Sequence, residues 1–334
     1  MVLGDGIRRN IASVEPSERA LLRGALLQLN DLNHVFRGSR TDHPTGGVTW
    51  WFKQDEIHQA THVHHGPEFI PWHREIVNRL EGMLRTINPD LSLHYWDWTQ
   101  DPRNIADANM GNGVTGPLNL FMPEFMGYGG FTVDQIGQPW LSAGYYVPGA
   151  NPHRDTPEGT AADPPIVVRR NVGTIIHSPA KVEEDQAVLD AVDYADMRSE
   201  ENGLESIHDR MHGFVNMGGT HISFRDPFVF LLHSNVDRLF ARWQTDPAHP
   251  ERLNPDTVYG SESNLDVPVE NIIQNLNDLV EPWSTGYSVD QFGDEHFTRP
   301  WSAPGEEVDD AFIPKPHTYK DPSIVTPPRY DTNH

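Results

Sequence analysis

Cysteine is absent from this chain of 334 residues. Its absence excludes disulfides, thiolate zinc sites, iron–sulfur clusters and cysteine nucleophiles, so any metal ion must be held by nitrogen or oxygen ligands. Long apolar runs are missing as well, since no stretch of about 18 apolar residues occurs that could form a membrane-spanning helix. With 37% hydrophobic and 10% aromatic residues, the composition is typical of a globular protein that buries a sizeable core in water.

Positive charge is scarce. The chain has 25 lysines and arginines against 48 aspartates and glutamates, a formal net charge of -23. A nucleic acid or an anionic membrane would be repelled, and the longest basic clusters are pairs such as Arg8-Arg9, so neither partner is expected. The first 20 residues lack an apolar stretch suited to a secretory signal. We therefore expect a cytoplasmic protein with a neutral small-molecule substrate, and export with a carrier protein stays open.

The pattern of apolar residues predicts a mainly α fold with few short strands. Long irregular loops are expected from about 103 to 179, and an irregular Pro-rich tail begins at Pro300. Asp226, followed by Pro227, is expected to cap the most apolar helix. The predicted helical stretches are Pro16 to Phe36, Trp51 to His62, His73 to Ile87, a stretch from about Glu183, Glu201 to Phe214, Asp226 to Trp243, and Val269 to Leu279.

Histidine is unusually abundant, with 18 in the chain. His208 and His212 are four residues apart, which places both imidazoles on one face of a helix where they can converge on a metal ion. The spacing alone is weak support. His233, however, lies inside an otherwise apolar segment, with Asp237 one turn further as a carboxylate that could accept its N–H and orient the ring. The alternative is a core histidine bonded to a carbonyl.

A second group of histidines lies near the N-terminus, five of them between positions 58 and 73. His73 is expected to open a helix, and Glu81 lies about two turns along it as another candidate acceptor for an imidazole N–H. A solvated histidine-rich loop is the alternative. It is disfavoured because the group ends in Phe69-Ile-Pro-Trp72, which is typical of a protein core.

Two strings of residues resemble the copper motifs of the tyrosinase family, the type 3 copper proteins that include catechol oxidases and molluscan hemocyanins. The first is His64-His-Gly-Pro-Glu-Phe-Ile-Pro-Trp-His73-Arg followed by Glu81. The second is His208-x-x-x-His212, then Gly218-Gly219, then Asp226-Pro-Phe-Val-Phe-Leu-Leu-His233 through Asp237-Arg to Trp243-Gln244. The resemblance covers roughly residues 15 to 245.

The resemblance implies two copper ions per chain, each held by three histidines. Six neutral imidazoles favour copper over magnesium or calcium, which prefer oxygen ligands, while zinc stays chemically possible. His58 is the best match for the first ligand of the first copper, with His62 as its main competitor and His43 as a distant one; His65 is interpreted as a neighbour. The implied ligands are His58, His64 and His73 for one copper, and His208, His212 and His233 for the other.

The resemblance further implies a four-helix bundle with one triad on each helix pair, so that the two coppers face each other and bind dioxygen between them. We expect a single tyrosinase-like domain over residues 1–334, with a copper-binding core of about 15–245 and a C-terminal helix and Pro-rich wrap over 246–334. The cysteine that forms a thioether in plant and fungal members cannot exist here, which agrees with bacterial-type enzymes. The part after Gln244 is too short for the usual shielding domain, so an accessible site is expected.

The chain departs from the family at three positions near the expected substrate pocket. Val229 and Leu232 stand where the family usually has phenylalanine and histidine, so Val229 and its neighbour Phe230 are expected to shape substrate access. Asp209 follows the first ligand of the second copper, where many tyrosinases have asparagine. In the family this position, with a glutamate and a held water, is linked to deprotonating monophenols, so Asp209 is a candidate catalytic base.

The function implied is a copper-dependent oxidase that converts o-diphenols, and by extension monophenols or o-aminophenols, to o-quinones with dioxygen. The alternatives are a hemocyanin-like reversible dioxygen carrier and a zinc or mononuclear site that uses the second triad alone. The expected partners are dioxygen and a small phenol. A copper chaperone and an oligomeric partner are left open.

Overall fold

Helices dominate the part of the chain that the structure describes. The computed structural model describes residues 3–29, 35–36, 48–61, 63–122, 124–127, 178–215, 223–224, 226–285, 288–296 and 317–333. Its α-helices are α1 Pro16–Leu29, α2 Trp50–Ala60, α3 Phe69–Ile87, α4 Val182–Leu189, α5 Tyr194–Arg198, α6 Leu204–Val215, α7 Val229–Gln244 and α8 Pro322–Val325. Short 3₁₀ turns cover Pro250–Leu253 and Gly260–Asn264. The prediction of a mainly helical domain is confirmed.

The two longest helices, α3 and α7, pack against each other at the centre of the fold. In α3, Ile76, Leu80 and Leu84 recur at helical spacing and are buried, as expected for a helix that faces a core. Helix α7 is buried on nearly every side. Against this pair, α1 packs on α3, while α4 and α6 pack on α7.

The predicted starts of α3 and α7 need adjustment. Helix α3 begins at Phe69, four residues before His73. Pro71 lies in its first turn, where the missing N–H leaves no bond unmade. Helix α7 begins at Val229. Asp226 instead caps the turn before it, accepting a hydrogen bond of 2.9 Å from the backbone N–H of Phe228.

Strands form four two-stranded antiparallel pairs among the described residues. The pairs are β1 Val35–Phe36 with β2 Val48–Thr49, β3 Ile105–Gly111 with β4 Val114–Leu118, β5 Val267–Val269 with β6 Ile272–Gln274, and β7 Ser288–Val289 with β8 Glu295–His296. The first helix therefore ends earlier than predicted, since Val35 and Phe36 are extended. The β3–β4 hairpin replaces part of the long loop expected after 103, and residues 128–177 of that loop lie outside the described part.

The predicted helix from Val269 to Leu279 is wrong. The chain forms the β5–β6 hairpin there, with Val269 opposite Ile272. Glu270 has a φ of 50° and makes the two-residue turn that such hairpins require. The β-branched residues on both sides fit a half-buried strand, where Val269 is buried and Ile273 is exposed.

Residues near the two ends of the sequence, Arg8 and Tyr330, meet beside the two central helices. Arg8 forms a parallel bridge with Tyr330, and helix α8 packs on α3. The described residues of the Pro-rich tail thus lie against the core; the single domain, its division at 245 and the C-terminal wrap stay predictions. None of the helices in the described ranges is long and apolar enough to cross a lipid bilayer.

Candidate dinuclear metal centre

The first triad brings together three histidines from one continuous stretch. His58 lies on α2, His73 lies in the first turns of α3, and His64 lies on the loop between these helices. The ring nitrogens that could bind a metal all lie within 4.8 Å of one another. His64 is thus held by a loop and not by a helix, unlike the predicted bundle arrangement. His62 and His43 lie outside the described residues, and His65 points elsewhere, with its Nδ1 2.5 Å from the carboxylate of Glu200.

The second triad comes from α6 and α7. His208 and His212 lie one turn apart on α6, and His233 lies on α7. The ring centroids of His208 and His212 are 4.4 Å apart. The centroid of His233 lies 4.9 Å from that of His208 and 5.2 Å from that of His212. The candidate ligand nitrogens again lie within 4.8 Å of one another.

The two triads face each other because α3 packs on α7. The imidazoles of His73 and His233 stack with centroids 4.7 Å apart and an interplanar angle of 11°. The triads also approach each other at His64 and His208, whose ring centroids are 6.0 Å apart. All six imidazoles are buried, and none of these histidines is more than 5% exposed. The result is a pair of nitrogen-lined sites in one water-poor pocket.

Hydrogen bonds fix which ring nitrogen faces the pocket. The Nδ1–H of His73 donates to the carbonyl of Phe69 at 2.7 Å, and the Nδ1–H of His233 donates to the carbonyl of Val229 at 2.9 Å. The Nδ1–H of His208 donates to the carboxylate of Asp209 at 2.9 Å. Each bond leaves the Nε2 lone pair for a metal. The Nε2 atoms of His208 and His233 indeed converge, 3.1 Å apart.

The electrostatics of the pocket suit a cation. Burial lowers the pKa of His73, His208 and His212 well below the ordinary value, and it lowers the pKa of His233 to about 4. These imidazoles are therefore neutral at pH 7 and can act as ligands. Among the described residues, Nε2 of His73 and both ring nitrogens of His212 are buried without a hydrogen-bond partner. Buried nitrogens of this kind, in an all-imidazole set, fit copper better than a hard cation.

The sequence matches one known protein family. The family model of the common central domain of tyrosinase matches residues 45–246. The chain belongs to the tyrosinase family. The predicted family and its two-copper cofactor are thereby confirmed, and the two histidine triads are the groups in the described residues that fit the metals.

Individual relatives of this tyrosinase-family chain are distant. It is 26% identical to a tyrosinase of Streptomyces glaucescens over 295 residues, which cover 83% of this chain and 92% of that protein. It is 25% identical to the A-type hemocyanin units Ode to Odg of Enteroctopus dofleini over 284 residues, covering 81% of this chain and 20% of that protein. A solved mutant of a polyphenol oxidase from Thermothelomyces thermophila shares the fold, with a TM-score of 0.53, 16% identity, and coverage of 87% of this chain and 84% of that one.

The roles predicted for Glu81 and Asp237 in the tyrosinase-family site are wrong. Asp237 accepts hydrogen bonds from Arg8, Arg74 and Tyr330, and Glu81 pairs with Arg8 at 2.7 Å. Helix side chains tilt toward the N-terminus of the helix. An imidazole therefore reaches back to the carbonyl four residues earlier, and a carboxylate one or two turns further on lies out of its reach.

Phe224 is an aromatic residue that contacts both triads, and Phe230, predicted for the pocket, lies behind it. Phe230 is buried, and its ring lies 5.1 Å from Phe224. Phe224, which the sequence reasoning missed, stacks on His58 at 4.3 Å and lies 4.9 Å from His233. It falls between the two helices of the second motif and has no periodic signal. Val229 is buried, and its carbonyl orients His233.

A second missed residue is Glu205, one turn before Asp209 on α6. It is buried, and its Oε1 accepts the backbone N–H of His65 at 2.7 Å. Burial raises the pKa of Glu205 to about 8. The sequence does contain a signal for Glu205: it precedes Asp209 by four residues, and residues at this spacing share one face of a helix.

Proposed function

We propose that this protein is a copper-dependent oxidase that converts o-diphenols to o-quinones with dioxygen. The observation that carries this proposal is the pair of buried histidine triads facing each other across the α3–α7 contact. One small pocket can then hold two metals close enough to act together on one dioxygen molecule. The tyrosinase relative in Streptomyces glaucescens supports phenols as the substrate class.

His58, His64 and His73 would hold one copper, and His208, His212 and His233 would hold the other. Bound copper supplies a dioxygen-binding, electron-accepting centre. Each o-diphenol gives up two electrons and two protons on becoming an o-quinone. Two diphenols thus reduce one dioxygen to two water molecules, and no further reductant is needed.

The chain's own contribution is to orient ligands and exclude water. The carbonyls of Phe69 and Val229 hold His73 and His233 as the tautomers that direct Nε2 into the pocket. Asp209 does the same for His208. Phe224 and Phe230 supply an apolar wall on which a phenolic ring can stack.

Asp209 bears on whether monophenols are also substrates. Its Oδ1 already accepts the Nδ1–H of His208, so that oxygen holds a ligand and only Oδ2 is left to take a phenol proton. We therefore propose that o-diphenols are better substrates than monophenols, with o-aminophenols accepted because they lose electrons and protons in the same way. Asp209→Asn, which changes this contact, is expected to alter the ratio of monophenol to diphenol turnover.

The test is a substrate panel of a monophenol, an o-diphenol and an o-aminophenol with copper-loaded protein, with oxygen uptake and quinone absorbance followed together. Zinc-loaded protein is the control, because zinc does not change oxidation state. Turnover of catechol with stoichiometric oxygen uptake supports the proposal. Reversible oxygen binding without quinone would instead show a carrier, in line with the hemocyanin relative.

A further inference from the structure

The peptide bond that joins His64 to His65 is hydrogen-bonded on both sides. Its carbonyl, from His64, accepts the side-chain Nε2–H of Gln274 at 2.9 Å. Its N–H, from His65, donates to Oε1 of Glu205 at 2.7 Å. His65 also has a φ of 64°, so the chain turns sharply there. Holding this one peptide restricts the backbone at His64, and with it the direction in which the His64 side chain leaves the backbone.

Gln274 spans the loop that presents His64. It ends strand β6 and is fully buried. While its Nε2 holds the carbonyl of His64, its Oε1 accepts the backbone N–H of Glu68 at 3.1 Å. One carboxamide therefore ties together residues 64 and 68, the middle of the loop and its last residue before α3.

Gly66 makes room for this carboxamide. A Cβ atom on Gly66 would lie 2.0 Å from Oε1 and 2.9 Å from Nε2 of Gln274, closer than real Cβ contacts allow. Glycine is required here by the close approach of another side chain. The loop and Gln274 are thus fitted to each other.

Other groups hold the far end of the same loop. The hydroxyl of Tyr194 donates to the carbonyl of Pro67 at 2.7 Å. The carboxyl group of Glu68 accepts from the backbone N–H of Asn275 at 2.8 Å and from the hydroxyl of Tyr319 at 3.0 Å. Gln274, Asn275 and Tyr319 all lie beyond residues 45–246, the part that matches the tyrosinase central domain.

We propose that Gln274 is a positioning residue for the first metal site: from outside the central domain, it fixes the loop that aims His64. This inference rests on the proposed dinuclear copper function and deepens it. It predicts different effects at the two sites, because the histidines of the second triad are carried by the helices α6 and α7 and not by this loop.

The test is Gln274→Met, which keeps the length of the side chain and removes both hydrogen bonds. Copper per chain is measured by elemental analysis of the loaded protein during dialysis against a chelator. Removing a group that orients a metal ligand typically weakens metal binding by about 10- to 100-fold. We expect one of the two coppers to leave at least about tenfold faster than from wild type, while the other leaves at the wild-type rate.

Gln244→Met is the matched control. Gln244 is also a fully buried glutamine; it donates to the carbonyl of Val325 in the tail and accepts from Nη1 of Arg74 on α3, without touching the loop. It should lower the melting temperature and leave both copper release rates unchanged. The proposal is overturned if Gln274→Met releases both coppers at the wild-type rates. It is also overturned if Gln244→Met and Gln274→Met release copper at the same increased rate. Wild type that binds no copper would instead overturn the proposed function.

A second comparison does not depend on Gln274→Met folding well. Gly66→Ala should push the carboxamide away and speed the release of the same copper. In Gly66→Ala with Gln274→Ala, the new methyl group enters space that the carboxamide has left, so the double variant should release copper no faster than Gln274→Ala alone. Strictly additive effects would show that Gln274 and the loop act separately, against the proposal.

Discussion

Asp237→Ala should destabilise the protein strongly, because Asp237 belongs to a buried network of four charges. Arg8 and Arg74 face the carboxylates of Glu81 and Asp237, and each of these residues is at most 7% exposed. Asp237 accepts from Arg8 at 2.8 Å and from the hydroxyl of Tyr330 at 2.7 Å, as well as from Nε of Arg74. The variant leaves two buried guanidinium groups with one carboxylate between them.

Breaking a buried ion pair by removing one partner costs about 3–5 kcal/mol. With an unfolding entropy of about 2.1 cal/mol/K per residue, the 334 residues give about 0.7 kcal/mol per degree. A loss of about 4 kcal/mol thus corresponds to a melting temperature lower by about 6 °C. Calorimetry on copper-free protein measures this without the added stabilisation from bound metal.

Arg9→Ala is the control for this prediction. Arg9 is adjacent in sequence to Arg8 and also forms an ion pair, with Asp5, but both side chains are partly exposed. Exposed pairs are worth about 1 kcal/mol or less, so its melting temperature should fall by no more than about 1–2 °C. If Asp237→Ala is no less stable than Arg9→Ala, the reasoning about the buried network is refuted.

Two further predictions concern the metal and pH. His233→Ala should bind one copper instead of two and lose oxidase activity, as measured by elemental analysis and quinone formation; two retained coppers would contradict its assignment. Burial raises the pKa of Glu68 from 4.5 to about 8, so the stability that its protonated form provides is lost as the pH rises from about 4.5 through 8. Glu68→Gln should therefore gain stability relative to wild type between pH 5 and pH 8.5 in urea unfolding, and a constant difference would speak against this.

The central helices and both triads could be predicted because their signals are local. In α6 and α7 the apolar spacing and the histidines follow one periodic pattern, and the copper motifs are continuous strings of residues. The β5–β6 hairpin could not be predicted in this way. Its short strands are too brief to show alternation, and the turn at Glu270 uses a residue that seldom adopts a positive φ.

The contacts around the site were harder to predict because they join distant parts of the chain. Arg8 is 229 residues from Asp237, and Gln274 is 210 residues from His64. No spacing rule relates such pairs. The incorrect prediction that Asp237 orients His233 arose in this way. A carboxylate one turn from a histidine is a good local candidate for that role, but buried arginines from distant parts of the chain pair with Asp237 instead.

The meeting of Arg8, Tyr330 and Asp237 has a consequence for biosynthesis. Tyr330 follows Asp237 by 93 residues and completes a network that also holds the helices bearing His73 and His233. A ribosome makes these helices well before it makes Tyr330. The finished network therefore forms only after Tyr330 has been added, although both helices that it holds are complete much earlier in synthesis.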